Sequence, residues 1–305
     1  MERNERKANS RNHSIIMDRE SKFYLRKFIL DFLILFVVGF LILVFYLWGT
    51  PYERGFFCDD ESLKHPYKES TVTNVMLYIV GIGLPVLTMI LTEWLRLRDY
   101  KGSKTRKFAG RDLQPWVLEA YRVVGIFLFG CACQQLTTDV AKYTVGRLRP
   151  HFFEVCKPSI DCSLESNKFK YHENFTCIGG DAKLLKEMRL SFPSGHSSFS
   201  AYTMIFVCFY MQKRFTWRGS KLFRHGLQLL FMLMAWFTIM SRVSDYKHHW
   251  SDVMAGAFVG LTYAIVIYTY VLEYRKPRSR LPGHLDSELH PTNGNSRTPP
   301  AGWQV

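Results

Sequence analysis

Six apolar runs divide the chain. Residues 72–92, 123–138, 226–241 and 253–272 carry no charge, residues 30–48 carry only Asp31, and residues 192–211 hold only His196. Each run is roughly 16–21 residues long, which is what ~30 Å of hydrocarbon asks of a helix rising 1.5 Å per residue. A soluble helical protein of this length would have too little amphipathic surface to cover six such runs. The pattern predicts an all-α integral membrane fold of six transmembrane helices over residues 26–275. Residues 1–25 read as a polar, charged leading segment. Residues 276–305, rich in Pro, Ser, Gly, Asn and Thr, have the composition of a disordered tail. No internal repeat is visible.

The polar connections fix an orientation. Formal net charge is +14, and basic residues gather in alternate connections: before the first run, after the second (Arg96, Arg98, Lys101, Lys104), after the fourth (Lys213, Arg214, Arg218) and after the sixth (Arg275, Lys276, Arg278). That is the positive-inside pattern rather than a nucleic-acid footprint, so both termini are expected in the cytoplasm. The first apolar run should act as a signal anchor, since no small-residue cleavage site follows it. Cys58, Cys156, Cys162 and Cys177 then fall in outside loops, where they are disulfide candidates with three connectivities open. Asn174-Phe175-Thr176 is a glycosylation acceptor on the same side. Trp48, Trp94, Trp116 and Trp250 stand at span ends, as aromatic-belt anchors do. Asp31 belongs near the inner boundary. Gly81, Gly83, Gly125, Gly130, Gly256 and Gly260 are expected at close helix contacts.

Three motifs meet at the outer face. "KYTVGRLRP" (142–150) leaves the third span there, "PSGHSSFS" (193–200) starts the fourth, and "SRVSDYKHHWSD" (241–252) joins the fifth to the sixth. Ionisable groups at the bilayer centre are expensive, ~2.5–3.5 kcal/mol each on insertion scales, so a cluster at one boundary marks a functional site. Lys142, Arg149 and Arg242 have no evident acidic neighbour apart from Asp139 beside Lys142. Arg pairs phosphate oxygens with a planar fork and Lys supplies a point charge. Ser194 and Gly195 expose backbone N–H groups at a helix start, a natural anion site. Arg147 and His151 flank the first motif and read as interfacial contacts.

His248 and Asp252 are four apart at the head of the sixth span. On a helix they share a face, so Asp252 could accept Nδ1–H of His248 and leave Nε2 as an oriented nucleophile. Spacing alone leaves His249 open for the same role. A zinc site from His248, His249, Asp245 and Asp252 is the competing chemistry, but the surrounding Arg and Lys would repel a cation. No metal or other cofactor is expected.

Lys142-x6-Arg149-Pro150, Pro193-Ser194-Gly195-His196 and Ser241-Arg242-x5-His248-x3-Asp252 together resemble the three-part signature of the type 2 phosphatidic acid phosphatase superfamily, most of all its animal lipid phosphate phosphatases. The resemblance spans residues 25–275, and no motif position departs from the pattern. It implies that His248 is the nucleophile, that Asp252 orients it, and that His196 is the general acid and base. Lys142, Arg149, Arg242, Ser194 and Gly195 would hold the phosphate. It further implies metal-independent hydrolysis of lysophosphatidate, phosphatidate, sphingosine 1-phosphate and ceramide 1-phosphate, on the outside of the plasma membrane or in the lumen of the secretory pathway. Homo-oligomers are common in that family. A non-catalytic lipid-phosphate binder or a transporter would also use a basic pocket. A binder leaves the histidines without a purpose, and a transport path calls for polar groups at mid-span.

Overall fold

The computed structural model describes residues 2–98, 106–108, 111–215 and 221–273. The expected tail at 276–305 lies outside the described residues. Six long helices follow the six apolar runs: α1 (Glu2–Trp48), α2 (Asn74–Leu97) and α3 (Pro115–Val145), then, after three short helices α4 (Phe152–Cys156), α5 (Glu165–Lys168) and α6 (Ala182–Glu187), α7 (Gly195–Arg214), α8 (Lys221–Ser244) and α9 (Trp250–Val266). The last continues into π-helical turns, Ile267–Glu273.

Local chemistry sets the helix ends. Thr73 Oγ caps α2 by accepting from Met76 N–H at 3.2 Å. α3 opens with proline in its first turn and stops at Gly146, whose φ of 59° is left-handed. A side chain there would also collide with the Tyr52 carbonyl, so position 146 takes only glycine. His249 and Asp252 form the capping box that starts α9.

Among the described residues, five helices are long and apolar enough to cross a membrane: Leu25–Trp48, Asn74–Leu97, Pro115–Val145, Leu222–Ser244 and Trp250–Glu273. The fourth apolar run, in contrast, forms a helix too polar to qualify by composition. The reason is its position. α7 is the central helix, packed by α2, α3, α8 and α9, and its polar side chains are buried and bonded inside the bundle. Ser198 donates to Gln134 Oε1 at 2.6 Å, and Tyr202 donates to the Phe127 carbonyl at 2.8 Å. Gly256 and Gly260 bring α9 so close to α7 that a methyl group at either would strike the Ser194 or Ser198 carbonyl. Gly81 and Gly130 make similar room for Phe199 and Tyr202. Gly83 and Gly125, expected at such contacts, instead face open space.

The segments between α1 and α2 and between α3 and α7 fold together over one end of the bundle. Phe56, Phe152, Val155 and Met188 form their core. Phe56–Phe57 pairs antiparallel with Tyr171–His172. Disulfide Cys58–Cys162 ties the two segments together, and Cys156–Cys177 closes a loop within the second.

Candidate active site

All three motifs end beneath this cap. Lys142 stands in the last turn of α3, and its Nζ lies 3.7 Å from Asp139 Oδ1. The same Nζ would be 2.9 Å from a Cβ at position 195, so Gly195 admits the lysine to the head of α7. The segment after Gly146 is laced to the one before α7: Arg149 N–H donates to the Met188 carbonyl at 2.8 Å, and Ser191 N–H donates to the Arg147 carbonyl at 3.1 Å. Arg149 is partly buried beside this pairing, and its buried Nε has no hydrogen-bond partner in the protein.

Ser194 is the N-cap of α7. Its Oγ accepts from Ser197 N–H and Ser197 O–H, and its own N–H donates to the Asp252 carbonyl at 2.9 Å. The first-turn N–H groups behind Ser194 point out of the helix end as anion donors. One step along, His196 Nε2 is buried and also without a partner. The charges of Arg242, Lys142 and Arg149 all bear on this imidazole.

Arg242 is almost fully buried at the end of α8. The sequence offers it no evident partner, yet it has one: Nη2 donates to Asp245 Oδ2 at 2.9 Å. Asp245 also accepts from Thr71 N–H and Thr71 O–H, at 2.8 and 2.7 Å, which fastens the approach to α2 onto the site. The Arg242 carbonyl receives His248 N–H at 3.3 Å.

His248 departs from the helical argument. α9 begins only at Trp250, so His248 precedes the N-cap and does not share a helix face with Asp252. Its Nδ1 is 3.9 Å from Asp252 Oδ2, too far for a hydrogen bond. Nδ1–H donates instead to the Ser191 carbonyl at 2.7 Å. Asp252 reaches the histidine through that same serine, accepting from Ser191 O–H at 2.6 Å. Its other oxygen accepts from Arg147, the residue that sequence reading left as an interfacial contact. His249 N–H and Nδ1 both turn to Asp252, at 3.1 and 3.2 Å, so this second histidine caps α9. A carboxylate already held by an arginine, a serine and a histidine is a poor zinc ligand.

A carbonyl acceptor fixes the hydrogen on His248 Nδ1 and leaves the Nε2 lone pair free. Burial pushes its pKa well below the ordinary histidine value, and the charges of Arg149, Lys142 and His196 push the same way. His248 is therefore a neutral, oriented base among cations. His151 is likewise buried and its pKa is lowered to about 4 by desolvation, against the opposing hydrogen bond to the Tyr246 carbonyl at 2.9 Å. Lys247 lies over the Tyr67 ring, 3.7 Å from its centroid.

The chain as a whole is similar to known proteins. Residues 123–276 match the PAP2 superfamily. A Drosophila melanogaster protein described as "Putative phosphatidate phosphatase" is 50% identical over 265 residues, covering 82% of this chain and 70% of that protein. Phospholipid phosphatase 1 of Rattus norvegicus is 40% identical, over 81% of this chain and 86% of its own. Phospholipid phosphatase 2 of Homo sapiens is 38% identical, over 82% and 84%. No solved structure matches the chain. Motifs, helices and relatives lead to one assignment: this chain is a multi-helical membrane protein that belongs to the PAP2 superfamily.

Proposed function

We propose that the chain is a lipid phosphate phosphatase working through a phosphohistidine, with no metal ion. One observation carries this reading. Beside a neutral histidine with a free Nε2, two buried polar atoms, Arg149 Nε and His196 Nε2, have no partner within the protein. Buried polar atoms are normally paired, and leaving one unpaired costs about 1–3 kcal/mol. A tetrahedral phosphate would satisfy the arginine, and the oxygen leaving it would satisfy His196.

In the first step His248 Nε2 attacks phosphorus, the bond to the leaving alkoxide breaks, and His196 gives that alkoxide its proton. Water then attacks the phosphohistidine as His196 takes the water's proton, and inorganic phosphate leaves. Lys142, Arg149 and Arg242, with the hydroxyl of Ser194 and the N–H of Gly195, hold the non-bridging oxygens. Such electrostatic positioning supplies most of the acceleration in phosphoryl transfer. Asp252 acts as a positioning residue through Ser191, and Arg147 holds Asp252 in turn.

Lysophosphatidate, phosphatidate, sphingosine 1-phosphate and ceramide 1-phosphate are the substrates this reading assigns. α7 would be the fourth of six spans, with both termini in the cytoplasm and the capped end extracellular or lumenal. The plasma membrane is the favoured location. Two disulfides and the exposed Asn174 in the cap support that side. Loss of a glycosidase-sensitive mass shift in Asn174→Gln tests it. The chemistry is tested by phosphate release from lysophosphatidate in mixed micelles with excess chelator. Wild type should release phosphate, and His248→Ala should lose on the order of 10³-fold or more. A fully active His248→Ala, or a folded wild type that releases nothing, sinks the reading.

A further inference from the structure

Three cavities differ in where they stand relative to the two histidines. One of about 670 Å³, walled by Arg54, Arg147 and His249, lies in the cap on the Asp252 side of the site. Another of about 760 Å³ lies between α1, α3 and the last turns of the chain, with Lys27, Asp31 and Arg122 at its rim. A third of about 350 Å³ runs between α2, α7 and α8, and it begins at Val72.

This third groove hangs from the leaving-group side of the site. The Val72 backbone lies beside the His196 ring. Ser200, on its wall, is one turn below His196 on α7. Thr238, on the facing wall, is one turn before Arg242 on α8. The Thr238 carbonyl accepts from Ser241 O–H, and that hydroxyl in turn accepts from Arg242. Along α2 the lining runs from Met76 to Gly81, roughly 7–8 Å of depth at 1.5 Å per residue. The interior is apolar: Leu77, Val80, Met204 and Met234 line it. Met76, Leu233 and Phe237 are exposed on the outside of the bundle, at 50%, 54% and 58%, so the groove opens sideways toward hydrocarbon.

In-line displacement puts the attacking and leaving atoms on opposite sides of phosphorus. With His248 attacking and His196 protonating, whatever hangs from the leaving oxygen departs on the His196 side, where the groove starts. The other two cavities lie elsewhere. We infer that the α2–α7–α8 groove holds the substrate's hydrocarbon chain, entering laterally from the leaflet on the motif side, and that Val80 and Met234 decide which chains fit. The inference rests on the phosphatase reading.

The test compares oleoyl lysophosphatidate with hexanoyl lysophosphatidate, which share a headgroup and leaving oxygen. Val80→Trp and Met234→Trp should each lower kcat/KM for the oleoyl lipid about tenfold or more, as a blocked apolar pocket does, and leave the hexanoyl lipid nearly untouched. Met234→Ala, which only removes atoms, should raise the rate for a methyl-branched chain several-fold relative to oleoyl. Leu128→Trp, in the cavity beside α1, should change neither. Equal losses on both lipids, no loss on either, an unmoved chain preference in Met234→Ala, or a chain-selective loss in Leu128→Trp overturns the groove. A wild type inactive on both lipids overturns the phosphatase reading itself, a distinct result.

Discussion

α7 carries charge at both ends, and the two ends treat it in opposite ways. Away from the motifs, Glu93 of α2 is fully buried and fully engaged. Its Oε1 accepts from Tyr210 O–H at 2.8 Å, its Oε2 accepts from Arg96 Nη2 at 2.6 Å, and Arg214 stands 3.7 Å away. At the motif end the cations outnumber their carboxylates, and Arg149 Nε and His196 Nε2 are left buried and unpaired. Near Glu93, Glu119 Oε2 is also buried without a hydrogen bond, but it has Arg122 and Arg214 at 3.8 and 3.9 Å as ion-pair partners, so that cluster is closed in charge, whereas the motif end is open by an anion's worth of hydrogen bonds. Closed clusters hold helices together, whereas open ones hold free energy that a ligand recovers.

The comparison breaks most sharply under Arg149→Ala. If the motif end is built for a phosphate, activity should fall by about 10³-fold, because a charge-stabilising donor is lost in a dry site. Thermal stability should stay level or rise, since the orphaned Nε goes with it. A loss of folding in step with activity would make this end structural too.

Glu93→Ala is the mirror experiment. Removing one partner of a buried ion pair costs about 3–5 kcal/mol, so the unfolding midpoint in detergent should drop by several degrees. The folded fraction should keep its activity. A catalytic loss without destabilisation would erase the difference between the ends.

The two ends also differ in how far sequence discloses them. Lys142, Arg149, His196, Arg242 and His248 were visible because their residue types are unusual at a membrane boundary and sit at the spacings of a known signature. Their convergence depends on topology, which the charge bias supplied. Ser191 was not visible. Its carbonyl serves His248 and its hydroxyl serves Asp252, 61 residues away, and no local pattern announces a serine chosen for its backbone. The partner of Arg147 is hidden for a similar reason, because Asp252 is 105 residues distant. The helical spacing of His248 and Asp252 misled, since the helix starts after the histidine. Glu93 gives no signal because it falls one residue beyond an uncharged run, where snorkelling is the ordinary expectation. α7 was found as an apolar run, but its serines mark the centre of the bundle rather than its lipid-facing surface.

Ser191→Ala probes the relay with an intermediate effect. The carbonyl that receives His248 Nδ1–H remains, and only the link to Asp252 is cut. A loss of about tenfold in kcat with little change in KM fits a positioning role. Asp252→Asn should cost more, because Arg147, Ser191 and His249 all lose their carboxylate at once. An unchanged kcat in Ser191→Ala beside a large loss in Asp252→Asn would return Asp252 to a direct role on the substrate or the nucleophile.

The smallest effect is read from pH. His248 acts as a nucleophile only when neutral, and burial together with Arg149 and Lys142 depresses its pKa. The acid limb of kcat/KM in wild type should therefore lie below the ordinary histidine value of about 6.5. Taking away the Arg149 charge removes one of the causes, so in Arg149→Ala the remaining activity should fade at higher pH than in wild type, by some tenths of a unit to about one unit. The substrate phosphate titrates in the same range, but it does so equally for both enzymes, and the difference between their profiles belongs to the protein. At the closed end no such shift is expected: Arg96→Ala lies across the bundle from His248 and should leave the acid limb where it is. An acid limb that moves with Arg96, or fails to move with Arg149, would mean that the two clusters are not electrostatically separate.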